Sequence, residues 1–207
     1  MCLVVITHDR STAEKAHRFI ERKDDRIHRD VLSELRRMQI MKVLVISDVH
    51  GNKRRLKDVL SEVDAPDYVL SLGDQELKQS FLQSRDIIAI KGNAAFDSGS
   101  GFEQTVKING WRIYMTHGHK LRVQNSYDRL YYRMLEEEAD IAMHGHTHQM
   151  AFMEVSGKFI VNPGSLNQSR DNNPESFLIM DMQEDHVALT WYDFHAMDVI
   201  GSQTIKR

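Results

Sequence analysis

The chain has 207 residues, 41% hydrophobic and 28% charged, the make-up of an ordinary globular protein with one sizeable domain and room for a small appendage. A formal charge of -3 offers no polyanion-binding surface, which argues against nucleic acid as an obligate partner. The single cysteine, Cys2, excludes an intramolecular disulfide framework; with no apolar run long enough for a bilayer and no basic leader at Met1–Thr7, a cytoplasmic protein without a membrane partner is expected.

The first forty residues differ from the rest. They carry 9 Lys and Arg against 7 Asp and Glu, whereas the remainder is net acidic. Their pattern reads as a strand over Leu3–Thr7 and a helix opened by Ser11 or Thr12 with Glu14 in its first turn. A very polar stretch follows through Asp30, then a short helix near Val31–Met38. Val-Ile-Thr-His-Asp-Arg followed by such a helix and Asp-Asp-Arg-Ile resembles the end of an ABC transporter ATPase domain, in which His8 would be the switch histidine. The Gly-rich phosphate loop and the second acidic strand of such an ATPase are missing, so its activity does not carry over. Met41-Lys-Val-Leu-Val-Ile-Ser-Asp looks like a natural start. The expectation is therefore that residues 1–40 are read-through or a mis-assigned start and that 41–207 form the working domain, against the alternative of a strand and helix docked on it.

From Met41 the elements alternate. Lys42–Ser47 is a β-branched apolar run, the mark of a strand buried on both faces, and Lys53–Val63 an amphipathic helix. Tyr68–Leu72 is a strand, Glu76–Gln83 a helix and Ile87–Ile90 a third strand, a progression that implies parallel pairing. Glu103–Ile108 and Trp111–Thr116 flank Asn109-Gly110, a hairpin signal. A helix over Ser126–Glu138 leads to a strand at Ile141–Met143, followed by short strands at Met150–Val155, Lys158–Val161, Ser176–Met182 and His186–Tyr192. The whole reads as α/β, two sheets packed face to face with helices outside.

Six of the 11 histidines (His50, His117, His119, His144, His146, His148) fall in three short clusters, and every cluster follows a strand. Ser47-Asp48-Val49-His50 ends the first strand, Gly73-Asp74 the second and Gly92-Asn93 the third. His117-Gly-His119 ends the hairpin, and His144-Gly-His-Thr-His148 follows Ile141–Met143. In open α/β sheets, ligands bind where strands end, so five clusters can converge on one rim. Asp-x-His sets a carboxylate and an imidazole on one side of an extended segment. Mixed oxygen and nitrogen donors suit Mn²⁺, Fe²⁺, Ni²⁺ or Zn²⁺ rather than Ca²⁺. Asp74, after a glycine that permits a tight turn, is the natural bridging carboxylate.

The order Asp-x-His, Gly-Asp, Gly-Asn, His, Gly-His-x-His resembles the calcineurin-like metallophosphoesterase superfamily. The short chain, His117-Gly-His119 and Asn162-Pro-Gly-Ser165 look most like its small bacterial YfcE-like phosphodiesterases, over about Met41 to Tyr192. The resemblance implies a four-layer α-β-β-α sandwich of two mixed sheets and two divalent metal ions, manganese foremost. Asp48, His50 and His148 would bind one ion, Asn93, His117 and His146 the other, with Asp74 bridging. It further implies attack on a small-molecule phosphodiester by a hydroxide held between the metals.

The likeness has gaps. Many members continue Gly-Asn-His-Asp/Glu, where the histidine helps to protonate the leaving group, whereas here the run is Gly92-Asn93-Ala94-Ala95-Phe96-Asp97. Activated diesters are then expected to be preferred over alkyl monoesters. His119 can substitute from a neighbouring loop or serve as structural support, and Asp97 can orient a metal-site group. Asn52 and the run Lys53-Arg54-Arg55 open a helix beside Asp-x-His; Asn52 and Arg54 are candidate phosphate binders, with solvated surface charge as the alternative. Ser98-Gly-Ser-Gly101 reads as a flap or a plain loop. His144 reads as support, and Tyr127, Tyr131 and Tyr132 as packing residues. The main rival is a binding scaffold on the same fold, like the retromer vacuolar sorting subunit; a phosphomonoesterase, a nuclease and a protein phosphatase follow. A homo-oligomer is compatible with the sequence.

Overall fold

The computed structural model describes residues 20–23, 26–30 and 39–207, in two units, Met1–Gln39 and Ile40–Arg207. In the first unit, β1 (Ile20–Lys23) and β2 (Arg26–Asp30) pair antiparallel with a register shift between Glu21 and Arg22. This pair falls in the polar stretch that runs through Asp30; backbone pairing needs no apolar alternation, so the pattern carries no sign of it. The strand over Leu3–Thr7, the helix from Ser11 or Thr12, the helix near Val31–Met38 and His8 lie outside the described residues.

In the second unit β3 (Met41–Ile46) is the organising strand. Val43 and Val45 point to one face and Leu44 and Ile46 to the other, all fully buried, as a period of two requires when both faces are covered. β3 pairs parallel with β4 (Tyr68–Ser71), and β4 parallel with β5 (Ile87–Ala89). On its other side β3 pairs antiparallel with β11 (Ser176–Met182), which continues to β12 (His186–Asp193) and β13 (Val199–Lys206). A second sheet has the order β6 (Glu103–Ile108), β7 (Trp111–Thr116), β8 (Ile141–Met143), β10 (Lys158–Pro163), β9 (Met150–Val155). There β7, β8 and β10 run parallel and the edge strands antiparallel, so both sheets are mixed.

The sheets meet through one apolar cluster that holds Val43, Val45 and Leu70 from one and Trp111, Ile113, Ile141 and Val161 from the other. Full burial of each such side chain stabilises the fold by about 1.5–3 kcal/mol. Trp111 satisfies its one polar atom by donating Nε1–H to the Gln183 carbonyl at 2.7 Å. Helices α1 (Lys53–Glu62) and α2 (Gln79–Gln83) cover the outer face of the first sheet, where Leu56, Val59 and Phe81 meet Leu44 and Ile46. Helix α3 (Asp128–Glu136) covers the second, with Leu130 and Met134 against Tyr114, Ala142 and Ile160. The expected four-layer α-β-β-α order is therefore present. Tyr127 and Tyr131 pack into this last cluster, whereas Tyr132 is exposed.

Two elements differ from expectation. The strand β13 is additional to those expected. The helix expected from Glu76 starts only at Gln79, because Glu76 is left-handed at φ 52° and Lys78 is extended at ψ 137°, neither of which continues a right-handed helix. No helix among the described residues is long and apolar enough to cross a membrane.

Residues 41–207 expressed alone are expected to unfold cooperatively, with a stability within about 1 kcal/mol of the full chain's in urea. A fragment that fails to fold would show that the first forty residues belong to the domain.

Candidate metal centre

Five strands, β3, β4, β5, β7 and β8, deliver their following loops to one place. Asp48 and His50 come after β3, Asp74 after β4, Asn93 after β5, His117 and His119 after β7, and His146 and His148 after β8. The loops are stitched together by backbone bonds: Asp48 N–H donates to the Gly73 carbonyl at 3.1 Å, His50 N–H to Asp74 at 2.9 Å, and Gly145 N–H to His117 at 3.3 Å.

Two overlapping groups of donors form, Asp48, His50 and His148 in one and Asp48, Asp74 and His117 in the other, each with ligand atoms within 4.8 Å of one another. The orientation of each imidazole is fixed from behind. His117 Nδ1 donates to the Leu72 carbonyl at 2.7 Å and His148 Nδ1 to the Gln168 carbonyl at 2.6 Å; a carbonyl can only accept, so the proton must sit on Nδ1. His50 Nδ1 likewise meets the Glu76 carboxylate at 2.7 Å. In the neutral rings all three Nε2 lone pairs then face inward. His50 Nε2 and His148 Nε2 stand 3.2 Å apart, and His148 Nε2 is 3.2 Å from Asp48 Oδ1. Lone pairs facing each other and a carboxylate repel unless a cation lies among them.

The buried polar atoms point the same way. Asp48 Oδ2 accepts from Ser47 Oγ at 2.7 Å and from His146 N–H at 3.1 Å, but its Oδ1 has no hydrogen-bond donor, nor has His117 Nε2, although both are buried. Such orphans cost about 1–3 kcal/mol each, and more when charged, so a divalent ion fits the donor set. His117 Nε2 also stands 3.3 Å from Asp74 Oδ2. Burial pulls the His117 pKa down, but the close Asp74 carboxylate and the charge of Asp48 outweigh it and hold it above the usual histidine value. Burial works against ionisation of Asp48 and Asp74, yet the histidines hold both below the ordinary carboxylate range. Metal and proton compete for the same nitrogen.

Glycine is required at close approaches. A Cβ on Gly92 would collide with Asp74 Oδ1, and one on Gly145 with Ser47 Oγ. Asp48, His50, Asp74, His146 and His148 all have φ between 46° and 68°, the left-handed region that Asp and His tolerate better than most residues.

The remaining expected residues take varied places. The His146 ring lies edge-on to His117 at 5.2 Å, completing the wall. Asn93 is exposed on the rim beside Ala94, whose N–H donates to Asp74 Oδ1 at 2.8 Å. The His119 ring stands 5.5 Å from His117 and 6.1 Å from His146, with its pKa lowered by burial and then by the neighbouring charges of His117 and Lys120. His144 is fully buried against Tyr127 and pushed down to about 4 by that burial, which makes it a neutral support. Asn52 caps α1, accepting from Arg55 N–H at 3.3 Å, and donates to Asn167 at 2.9 Å. Arg54 is 92% exposed and pairs only loosely with Asp58 at 3.9 Å; it sits about 200° round the helix from buried Leu56, which directs it into solvent. The Ser98–Gly101 segment is tied to the end of β5, with Lys91 N–H donating to Gly101 at 2.6 Å and Ser100 N–H to Ala89 at 3.0 Å, and is a loop.

Three supports go beyond what the sequence suggests. Asp97 accepts from the N–H groups of Asp74 at 2.7 Å, Gln75 at 2.8 Å, Glu76 at 3.0 Å and Gly92 at 2.6 Å, clamping the Gly-Asp and Gly-Asn loops with one carboxylate. Glu76 orients His50 from a left-handed φ of 52°. Within Asn162-Pro-Gly-Ser165, Asn162 Nδ2 donates to Thr147 Oγ1 at 3.0 Å and Ser165 Oγ to the Asp48 carbonyl at 3.1 Å.

Residues 41–185 match the calcineurin-like phosphoesterase superfamily domain. The probable metallophosphoesterase YsnB of Bacillus subtilis is 30% identical over 154 residues, covering 74% of this chain and 91% of its own. Vacuolar protein sorting-associated protein 29 of Schizosaccharomyces pombe is 29% identical over 160 residues, covering 69% and 86%. The crystal structure of a conserved uncharacterized protein of Streptococcus pneumoniae, described as a predicted phosphoesterase, aligns with a TM-score of 0.74 at 25% identity, over 82% of this chain and 99% of that one. The E. coli phosphoesterase YfcE shares the fold, with a TM-score of 0.60 at 21% identity over 80% and 100%. Two mixed sheets, donor-bearing loops at five strand ends and this match over most of the second unit agree: the chain belongs to the calcineurin-like phosphoesterase superfamily.

Proposed function

We propose that the chain is a two-metal phosphodiesterase that hydrolyses a small-molecule phosphodiester. The observation that carries this reading is the set of three imidazoles, each pinned at Nδ1, whose Nε2 atoms face two buried carboxylates. Asp48, His50 and His148 would hold one ion, and Asn93, His117 and His146 the other, with Asp74 between them. The mixed oxygen and nitrogen set suits manganese, with iron, nickel or zinc as alternatives. What a divalent pair supplies there is Lewis acidity toward the phosphoryl oxygens and a water acidified toward neutrality.

The protein's own groups do the rest. Asp74 is held by the Ala94 N–H and by the clamp of Asp97 on its backbone, so its carboxylate is set before substrate arrives. Asn93, on the rim, orients the phosphoryl group. With alanine at positions 94 and 95, proton delivery to the departing oxygen falls to His119, whose ring borders His117 and His146.

The scaffold reading has one observation in its favour, the relation to vacuolar protein sorting-associated protein 29 at nearly the identity of YsnB. Against it stands the complete donor set. Metal analysis with hydrolysis of bis(p-nitrophenyl) phosphate in Mn²⁺ separates the two. Two ions per chain and activity abolished by chelation are expected. His119→Gln should slow diesters with alkyl leaving groups about 100-fold but those with p-nitrophenolate less than about threefold, because a good leaving group needs no proton. Equal wild-type rates on alkyl monoesters and aryl diesters would count against a phosphodiesterase. A wild-type protein that binds no metal and turns over neither would restore the scaffold.

A further inference from the structure

Beside the donor set lies a feature that metal binding does not use. Phe102 is 41% exposed immediately before β6, and the Lys120 ammonium stands 3.2 Å from its ring centroid. The same ring meets the His119 ring edge-on at 5.8 Å, and His119 in turn borders His117 and His146. Single exposed apolar residues are commonplace; a ring joined by a histidine to a metal-binding wall and capped by an ammonium is not.

We infer that Phe102 and Lys120 form an aromatic and cationic subsite that receives one ester group of the substrate as a flat ring, either aryl or nucleobase. This rests on the phosphodiesterase reading above. One face of Phe102 is taken by the Lys120 ammonium, so a ligand ring meets Phe102 on its remaining exposed surface. Offset or edge-on contact between rings is favourable because ring faces are negative and ring edges positive. Such stacking tolerates any flat ring, so the subsite selects a class and not a single compound. The ammonium stands beside the incoming ring and can meet an anionic oxygen carried with it. His119 lies between Phe102 and the candidate metal ligands, so a ring seated here places its ester oxygen toward that imidazole. Alkyl diesters would leave the subsite filled with water.

Binding and turnover are measured separately on Mn²⁺-loaded full-length protein. In calorimetric titrations, phenylphosphonate is expected to bind about tenfold more tightly than methylphosphonate. Phe102→Leu should bring that ratio toward one while leaving methylphosphonate affinity unchanged. In turnover, the ratio of kcat/KM for bis(p-nitrophenyl) phosphate to that for methyl p-nitrophenyl phosphate should fall several-fold in this variant; comparing ratios cancels the intrinsic reactivities. Equal wild-type affinities, no binding of either phosphonate, or a parallel loss for both ligands in the variant would overturn the subsite. A retained preference for phenylphosphonate in a protein that hydrolyses neither diester would uphold the subsite and overturn the phosphodiesterase reading instead.

Discussion

Asp74→Asn is expected to lower hydrolysis of bis(p-nitrophenyl) phosphate about a thousandfold, equivalent to roughly 4 kcal/mol of transition-state stabilisation, without unfolding the protein. The amide keeps the shape of the carboxylate, so it can still accept the Ala94 N–H that Oδ1 now accepts. It loses the charge and one of the two oxygens, and with them the capacity to serve the two ions of the proposed centre. The neutral amide also removes the partner that holds His117 above its usual pKa. Metal content should fall below two ions per chain while the circular dichroism spectrum and thermal midpoint stay near those of the wild type. A variant that keeps both ions and more than about a tenth of the rate would remove Asp74 from the bridging position.

Asp97→Ala is the largest expected effect on stability. The substitution strands four backbone N–H groups at once, those of Asp74, Gln75, Glu76 and Gly92. A lost hydrogen bond to a charged group costs about 1.5–3 kcal/mol, and water reaches part of this half-buried site, so a net loss of about 3 kcal/mol is expected in urea denaturation. Because the freed backbone carries Asp74, Mn²⁺ affinity should drop at least about tenfold, the scale at which supporting residues act on metal sites. Asp97→Asn keeps one acceptor oxygen and should fall between the two proteins. If Asp97→Ala were as stable as the wild type, the clamp would be incidental to the loop's conformation.

The sequence is most legible where one physical rule governs one segment. Val43 to Ile46 read as a doubly buried strand because apolar side chains are demanded on both faces. Asn109-Gly110 reads as a tight hairpin turn, and both residues have positive φ, 46° and 89°. The donors are legible because Asp and His at short fixed spacings, each set following a strand, suit metal ligation and little else. What stays hidden depends on partners far along the chain. Nothing local marks the Leu72 and Gln168 carbonyls as anchors for His117 and His148, since any residue supplies a carbonyl. Asp97 is conspicuous in the sequence but its grip on four N–H groups is not, nor is the left-handed φ of 52° at Glu76 that keeps a helix from beginning there. β13 is hidden because, as an edge strand, it buries only Ile205 and so shows no alternation. The solvent-facing direction of Arg54 depends on the rotation of α1, which Leu56 and Val59 set and the basic run itself does not reveal.

The left-handed backbone at Asp48, His50, Asp74, His146 and His148 narrows the routes by which this protein can change. At such positions a β-branched or bulky replacement adds about 1–2 kcal/mol of backbone strain to whatever chemistry is lost, while asparagine and glycine fit with little strain. Five of the seven candidate donor positions therefore share the same low-strain exits, although glycine at Asp48 or Asp74 would also strand the His146 and Ala94 N–H groups that these carboxylates accept. A descendant can weaken the donor set through one or two asparagines, each keeping an acceptor oxygen for those bonds, and leave the four-layer frame intact. Hydrolase and binding scaffold are thus near neighbours in mutational space, separated by side-chain chemistry at a handful of positions and by almost nothing in the backbone.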